Sequence, residues 1–200
     1  MTITVKLLSL ILLSLCLSAA GCVGDGPAYD RADAYRTVDT APRRNTDVAK
    51  RENQTGVKHL EAGDLGKAAD AFNHALTADV AFGPAHNNLG KIYHHREDWY
   101  RAAWEFEYAA KLMPEHGGPH NNLGLVLEQV GSLDRAVAAY EQAVALDPEN
   151  LAYAANLARA LIRRGDRTEQ TRALLQRLLE QETRPQWVRW ARQQMLLFTQ

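Results

Sequence analysis

The sequence contains few of the residues that metal centres, disulfide frameworks and nucleotide sites require. It has 2 cysteines in 200 residues, and no group of histidines and cysteines has the spacing of metal ligands. No glycine-rich phosphate loop is present, and no serine, cysteine or lysine has a recognisable catalytic partner. We therefore expect a protein that is not an enzyme and has no metal site.

The sequence also lacks an excess of charge of either sign. The chain carries 23 lysines and arginines against 24 aspartates and glutamates, which gives a formal net charge of −1. Proteins that bind nucleic acid through its phosphates usually carry a basic excess, so we expect no nucleic-acid partner. The 46% of apolar residues is typical of a globular chain rather than a disordered one.

Only the N-terminus carries a long apolar run. Residues 7–17 follow a short start with one lysine, and small residues come after them. This layout is typical of a secretory signal. The run is shorter than the roughly 20 apolar residues that a membrane-spanning helix needs.

The end of this signal reads Ala19-Ala20-Gly21-Cys22. It resembles the lipobox of bacterial lipoproteins, in which small residues directly precede an obligatory cysteine, although Ala19 stands where leucine is commonest. The resemblance implies a signal peptide at residues 1–21 and a covalent lipid, including palmitate, on Cys22, with no other cofactor. The alternative is an ordinary cleaved signal in which Cys22 has no role.

The lipoprotein resemblance also implies a location. Residue 23 is valine rather than aspartate, which by the family's sorting rule favours the outer membrane. We therefore expect a chain anchored by lipid in a bacterial cell envelope and facing the periplasm. Acyl chains contribute about 0.8 kcal/mol per buried methylene, so two or more of them anchor a protein stably.

The body of the chain repeats itself. His-Asn-Asn-Leu-Gly occurs at residues 86–90 and again at residues 120–124, a period of 34 residues. A fixed period in this range indicates stacked structural repeats. The same period relates one set of glycines, two sets of alanines and one set of aromatic residues: Gly56, Gly90, Gly124; Ala68, Ala102, Ala136; Ala75, Ala109, Ala143; Phe72, Phe106, Tyr140.

These positions resemble the tetratricopeptide repeat family, whose unit has a small residue in its first helix and two alanines and an aromatic in its second. The resemblance implies an all-α fold, a right-handed superhelix of helix-turn-helix repeats. The units are placed at 49–82, 83–116 and 117–150, with a degenerate fourth at 151–184. In the fourth, Gln170 stands where the first alanine is expected, and Ala173 indicates a small insertion near residues 167–170.

Both ends of the array have their own patterns. After Pro185, apolar residues recur at helical spacing, which predicts a capping helix at 185–200 that covers the last repeat. Its stripe comprises Trp187, Trp190, Ala191, Gln194 and Phe198. Residues 22–48 have little apolar content, and we expect them to form the lipidated N-terminus and a flexible tether.

The candidate binding surface is the concave groove that the first helices of stacked repeats line. Residues three, four and seven apart share a helix face, and this selects Asn53, Gln54, Asn87, Asn88, Lys91, Asn121, Asn122, Asn156, Arg159 and Arg163. The row resembles the asparagine ladder of some tetratricopeptide proteins, which grips a peptide main chain. A carboxamide both donates and accepts hydrogen bonds. The alternative is that the asparagines bond only neighbouring helices.

Arginine is concentrated late in the chain. Residues 159–192 carry nine arginines against four acidic residues, a local charge of +5. Arg159 and Arg163 are expected to face the groove, where guanidinium groups would bind an acidic peptide or a carboxylate. The alternative is a solvated helix surface.

Two further features leave alternatives open. Trp104 and Tyr108 lie four residues apart, off the phase that carries Phe106 into the core. They are either a docking patch on the convex side or pack against the tether or the next unit. His86 and His120 share one phase, and packing between helices is favoured over a metal site.

The sequence therefore predicts a membrane-anchored scaffold that binds a peptide or protein partner in its concave groove. Its layout resembles tetratricopeptide lipoproteins that assist assembly of cell-envelope complexes such as pili or secretins. One alternative is a receptor for a small envelope ligand that uses His86, His120 and the arginines. Another is a structural spacer that self-associates into a homo-oligomer.

Overall fold

The structure is a computed structural model that describes residues 44–198. The signal peptide at 1–21, the lipid attachment site Cys22 and most of the tether at 22–48 lie outside these residues.

The described residues form nine helices and no strand. The helices are α1 (Thr46–Glu61), α2 (Leu65–Ala78), α3 (Gly83–His95), α4 (Trp99–Leu112), α5 (Gly117–Gln129), α6 (Leu133–Leu146), α7 (Leu151–Arg164), α8 (Glu169–Gln181) and α9 (Pro185–Leu196). None of these helices is both long and apolar enough to cross a membrane.

Successive helices pack as pairs, and the pairs stack. Helices α1 and α2 form repeat 1, α3 and α4 repeat 2, α5 and α6 repeat 3, and α7 and α8 repeat 4. The first helices also contact one another, α1 with α3, α3 with α5 and α5 with α7, whereas α2, α4 and α6 do not pack together. The first helices therefore line the concave side, and the predicted all-α superhelix of helix-turn-helix repeats is confirmed.

A ring and a glycine fit together inside each of the first three repeats. The glycines Gly56, Gly90 and Gly124 lie directly against the buried rings of Phe72, Phe106 and Tyr140. A Cβ atom on Gly124 would lie 2.5 Å from Cε1 of Tyr140, closer than real contacts allow. The recurring glycine is therefore required because the aromatic ring occupies the space that a side chain would need.

In the fourth repeat, different residues fill the space between the two helices. Its two helices are joined by residues 165–168, one residue more than in the other repeats. This extra residue brings Thr171, rather than the predicted Ala173, to the buried position of the first alanine. Leu175 takes the place of the aromatic ring, and the smaller leucine leaves room for Ala158 where the other repeats have glycine.

The turn inside each repeat needs a left-handed backbone. Gly63, Gly131 and Gly165 provide it with φ of 78°, 76° and 95°. Repeat 2 has Glu97 at this position, with φ of 58°. A side chain in this conformation costs roughly 1–2 kcal/mol, so Glu97 is a strained exception to a glycine rule that the other three repeats follow.

The array begins and ends slightly differently from its sequence boundaries. Helix α1 starts at Thr46, inside the segment 22–48 predicted as tether, because Asn45 caps it and its backbone N–H donates to the Ala78 carbonyl at 2.9 Å. The predicted capping helix is present as α9, and Ala191 is fully buried against the last repeat. Trp187 and Trp190 are half-buried beside it.

Replacing Gly124 with alanine tests the fit between ring and glycine. We expect Gly124→Ala to lower the free energy of unfolding by about 1–3 kcal/mol, because the ring of Tyr140 must move within a packed core. The matched control is Gly66→Ala in α2, where a new Cβ meets nothing closer than 3.6 Å. Alanine favours a helix over glycine by up to about 1 kcal/mol, so this control should be neutral or stabilising. Urea unfolding measures both, and equal effects would contradict the fit.

Candidate functional site

Paired asparagines run along the concave face, in hydrogen bonds that join one repeat to the next. The Nδ2 group of Asn88 donates to Oδ1 of Asn53 at 3.0 Å. The same bond recurs from Asn122 to Asn87 at 3.0 Å and from Asn156 to Asn121 at 2.8 Å. Each bond joins residues that are 35 apart in sequence, one more than the 34-residue period. The donor is the second residue of its dipeptide, and the acceptor is the first residue of the corresponding dipeptide one repeat earlier.

These bonds revise the choice that the sequence left open. The asparagines do bond neighbouring helices, so the row contributes to holding successive repeats in register. Their hydrogen-bonding capacity is nevertheless not exhausted, since a carboxamide has two N–H donors and two acceptor positions on oxygen. The amides of Asn53, Asn87 and Asn121 use their oxygens and keep their N–H donors, while Asn122 and Asn156 use N–H and keep their oxygens.

Burial separates the asparagines that can reach a ligand from those that cannot. Asn88 and Asn121 are only 9% exposed. Asn53, Asn87, Asn122 and Asn156 are half-buried, with one edge toward solvent. The half-buried members therefore present unused N–H donors at Asn53 and Asn87 and unused oxygens at Asn122 and Asn156, groups that can pair with the C=O and N–H groups of an extended main chain.

Two other predicted groove residues behave differently from the asparagines. Gln54 is exposed, and within residues 44–198 no repeat precedes repeat 1 to receive its amide. The Nζ group of Lys91 donates to Oδ1 of Asn88 at 3.1 Å. Partial desolvation lowers the pKa of Lys91 below its usual value, and no carboxylate pairs with this ammonium group within residues 44–198.

The groove widens into a cavity of about 500 Å³ at the N-terminal ends of α3 and α5. Asn87 and Asn88 form part of its wall, and Tyr153 of α7 forms another part. The rest of the lining comes from helix starts and from the loops before α5 and α7: Pro84, Met113, Glu115, His116, Gly117, Gly118, Pro119, Leu146 and Asp147. The cavity is large enough to hold several side chains of a bound segment.

At the other end of the groove, two arginines converge on one buried carboxylate. Glu128 of α5 is 3% exposed. Arg159 binds it with two bonds, Nε to Oε1 at 3.0 Å and Nη2 to Oε2 at 2.8 Å, and Nη1 of Arg163 donates to Oε1 at 2.8 Å. The hydroxyl of Tyr140 also donates to Oε2, at 2.9 Å. This network ties repeat 3 to repeat 4.

The network fixes the charge of its members. Burial alone would raise the pKa of Glu128, but hydrogen bonds from Arg159 and Arg163 outweigh it and hold that pKa below the usual value. Burial and the neighbouring Glu128 raise the pKa of Tyr140. The hydrogen bond to Glu128 raises the pKa of Arg159. Two cations thus share one anion, and the cluster keeps one positive charge at the groove.

The structure therefore qualifies the prediction that both arginines await an acidic ligand. Arg159 is half-buried and committed to Glu128, with its guanidinium 5.6 Å from the ring centroid of Trp187. Arg163 remains exposed and uses one N–H group. Glu128 was not identified from the sequence as the partner of these arginines. The sequence did contain an indication of this pairing, because Glu128 is an acidic residue on the first helix of repeat 3, and Arg159 and Arg163 lie about one repeat later on the first helix of repeat 4.

The histidines do not assemble a ligand pocket. His86 is 3% exposed, with Nδ1 at 2.7 Å from Oε2 of Glu105 and Nε2 at 2.9 Å from the Val80 carbonyl. His120 lines a separate cavity of about 410 Å³ between α4, α5 and α6. Within residues 44–198, no three His, Cys, Asp or Glu side chains are arranged to hold a metal ion. His86 packs between helices, as the sequence favoured.

Removing the charge of Glu128 tests the network. The pKa of Glu128 is lower in the folded chain than its ordinary value of 4.5. Its contribution to stability is therefore present above pH 4.5 and is lost as the pH falls through the folded pKa. We expect Glu128→Gln to lower the free energy of unfolding by about 2 kcal/mol at pH 7, through loss of charged hydrogen bonds.

Urea unfolding at pH 7 and at pH 3 measures this dependence. The difference in the free energy of unfolding between wild type and Glu128→Gln should be smaller at the lower pH, because the wild-type carboxylate is then partly protonated. Glu115→Gln, at an exposed position without an ion pair, is the control and should change stability little at either pH. A difference that stays constant with pH would show that the charge of Glu128 is not what stabilises the interface.

Comparisons with known proteins agree with the repeat architecture. Two family models, both described as tetratricopeptide repeat, match residues 55–117 and 127–190. No curated protein sequence matches the chain.

Solved structures show the same fold at low sequence identity. A crystal structure of MamA has a TM-score of 0.61 at 20% identity, covering 67% of this chain and 78% of that one. The first tetratricopeptide domain of Spaghetti (RPAP3), bound to the HSP90 peptide SRMEEVD, has a TM-score of 0.59 at 18% identity, covering 62% and 98%. An O-GlcNAc transferase of Thermobaculum terrenum has a TM-score of 0.63 at 21% identity, covering 70% of this chain and 27% of that protein.

Proposed function

We propose that this chain, which belongs to the tetratricopeptide repeat family, is a scaffold that binds an extended segment of a partner protein in its concave groove. One observation carries the proposal. Paired asparagines line the groove, and the half-buried members keep donors and acceptors that no residue of 44–198 uses. Such groups are satisfied by water in the free protein and by a main chain in a complex.

The geometry favours a main-chain ligand over a specific side chain. The asparagine pairs recur once per repeat, so at least one half-buried carboxamide is present at each step along the groove. Main-chain amides also recur regularly, and a carboxamide can pair with them whatever the partner's sequence is. The solved domain of Spaghetti, whose fold this chain shares, is bound to a peptide.

The charges of the groove add a preference for acidic residues in that segment. Lys91 has no carboxylate partner among the described residues, and Arg163 remains exposed beside the positive Glu128 cluster. A carboxylate of the partner would gain charge-assisted hydrogen bonds at either position. Arg159 stabilises this surface rather than binding the partner itself, because its bonds to Glu128 hold repeats 3 and 4 together.

We also propose that the chain has no catalytic activity of its own. The groove holds amides and cations but no nucleophile beside a general base among the described residues. The similar O-GlcNAc transferase resembles this chain over 27% of its length, so the likeness carries no catalytic role across. A receptor for a small ligand is less well supported, because His86 is committed to Glu105 and lies apart from Arg159 and Arg163.

The proposal also includes a location, a lipid anchor in a bacterial cell envelope. The sequence Ala19-Ala20-Gly21-Cys22 supports a lipid anchor on Cys22, with the outer membrane of a bacterial envelope as the site and the periplasm as the compartment. An anchored scaffold in this compartment would position or help assemble an envelope complex, of which pilus and secretin assemblies are examples.

Photo-cross-linking in the native cell tests the groove. We expect a photo-reactive phenylalanine analogue at Leu125, on the groove face of α5, to give a discrete cross-linked species. The same analogue at Ala173, exposed on α8, should not. Adding Asn87→Ala and Asn122→Ala should weaken the cross-link from Leu125, because each lost main-chain hydrogen bond is worth about 0.5–1.5 kcal/mol.

The double asparagine variant also has a structural effect, which needs its own control. It removes one hydrogen bond between repeats 2 and 3, so we expect a loss of about 0.5–1.5 kcal/mol of stability, partly offset by the higher helix propensity of alanine. Circular dichroism should show an unchanged helical content. A cross-link that persists in this folded variant would argue against ligand binding by the asparagines.

Replacing Cys22 tests the anchor. We expect Cys22→Ser to move the protein from the membrane fraction to the soluble fraction, since the acyl chains would be missing. The helical content of the released protein should equal that of the wild type. Retention of the variant in the membrane pellet after a high-salt wash would contradict the lipoprotein assignment.

A further inference from the structure

Repeat 2 departs from the other repeats on a surface away from the concave groove. At two exposed phases of the second helix, repeat 2 has Tyr100 and Trp104, 83% and 53% exposed. Repeat 1 has Gly66 and Asp70 at these phases, and repeat 3 has Asp134 and Ala138. The repeat architecture therefore makes no demand for aromatic residues here, and their exposure is specific to repeat 2.

A third departure lies beside the aromatic pair. Glu97 stands where the other repeats have a glycine, in the left-handed conformation that glycine tolerates. Strain of this kind persists where a side chain has a use, and an observed outlier is grounds for a hypothesis of function.

These departures meet in one groove, which we name the Tyr100 groove. It has a volume of about 700 Å³ and lies between the start of α4 and the turn that joins α5 to α6. Its apolar part consists of Trp99, Tyr100, Ala103, Val126, Leu127 and Val130, and Val130 is 53% exposed. Trp104 continues the surface in an adjoining cavity of about 270 Å³.

The charges at the rim leave one group without a partner. Asp98 is paired with Arg101, and Arg135 with Glu107 at 2.9 Å. Arg96 donates to the Leu65 carbonyl at 3.4 Å. Within residues 44–198, neither Arg96 nor Glu97 forms an ion pair, but the guanidinium of Arg96 has the Leu65 carbonyl as its partner, whereas the carboxylate of Glu97 has no hydrogen-bond partner.

We propose that the Tyr100 groove binds a partner segment that presents a lysine or arginine beside an apolar side chain. The cation would pair with the carboxylate of Glu97 and lie against the ring of Tyr100, as cations do on aromatic faces. The apolar neighbour would enter the groove between Trp99 and Val130. This site lies apart from the asparagine pairs and does not depend on the function proposed for them.

The size of the surface favours a short segment over a second copy of the chain. Large aromatic side chains bury roughly 150–250 Å² each, so the exposed parts of Tyr100, Trp104 and Val130 offer about 400 Å² together. A stable interface between two folded proteins buries about 800 Å² on each partner. A segment of a few residues fits the smaller area, and its basic residue meets the charge that the groove leaves unpaired.

Selection from a random heptapeptide library on the purified full-length protein tests the proposal. Peptides are counter-selected on Tyr100→Asp with Trp104→Ala, which places the residues of repeat 3 at the same phases. Tyr100 is exposed, but the ring of Trp104 stacks on Tyr108 with centroids 5.5 Å apart and contacts the ring of His86, so this variant should keep its helical content and melt somewhat below the wild type. We expect the surviving peptides to carry a lysine or arginine next to an apolar residue, and fluorescence polarisation gives their Kd.

Two variants of Glu97 separate charge from backbone strain. Glu97→Gln removes the charge and keeps the strain, and it should weaken the selected peptides by about 5–30-fold through loss of the ion pair and of the aligned cation. Glu97→Gly should weaken them similarly while raising the melting temperature, because it restores the glycine of the other turns. Asn87→Ala with Asn122→Ala, in the asparagine row, should leave this Kd unchanged.

Each contrary result overturns the proposal. These results are selected peptides without a basic residue, equal affinity for wild type and Glu97→Gln, and no peptide that distinguishes wild type from the counter-selection variant. Loss of affinity only in the asparagine variant would place peptide binding in the concave groove instead. Concentration-dependent sedimentation of the wild type that disappears in the Tyr100→Asp variant would make a second copy the occupant.

Discussion

The structure depends on how closely the two helices of each repeat approach one another. In three repeats a buried aromatic ring lies against a glycine of the first helix, so the ring fills the space between helices that a side chain would otherwise take. This contact sets the angle and distance within each pair, and the pairs then stack with the first helices inward. Every feature of the concave face follows from that geometry, because only closely packed first helices bring the asparagines of successive repeats within 3.0 Å. The fourth repeat reaches the same geometry with leucine against alanine, which shows that the fitted volume matters more than the residue types.

The asparagine row has two physical roles that use different atoms of the same side chains. One N–H group and one oxygen of each bonded pair hold neighbouring repeats in register, and the remaining donors and acceptors of the half-buried members are available at the groove. A carboxamide suits this division because it has more hydrogen-bonding groups than one partner can satisfy. A leucine at these positions would supply neither role, because its side chain has no hydrogen-bond donor or acceptor. The Glu128 cluster extends the same principle with charge, since one buried carboxylate orients two guanidinium groups and leaves one of them exposed at the groove.

Repeat 2 shows how a repetitive scaffold acquires surfaces that its neighbours lack. Tyr100, Trp104 and Glu97 occupy positions at which the other repeats have small or polar residues, so the repeat architecture itself does not call for them. Glu97 even opposes the local backbone preference, because its φ of 58° is one that glycine tolerates better. The repeats act as internal references for one another, so a departure confined to one of them indicates a requirement beyond folding. The two proposed surfaces would have opposite charge preferences, acidic segments for the concave groove and basic segments for the Tyr100 groove.

The sequence by itself determined the helices, their pairing and the order of the repeats. This was possible because the 34-residue period and the helical spacing of apolar residues can be read directly from the sequence, and they indicate which face of each helix is buried. Only the tertiary structure decided what those residues contact. The bond from Asn122 to Asn87, the pairing of Glu128 with Arg159 and the displacement of Thr171 into the alanine position each depend on the exact stagger between helices that are distant in the chain. That stagger arises from packed volumes across the whole array, and periodicity carries no information about which atoms it brings together.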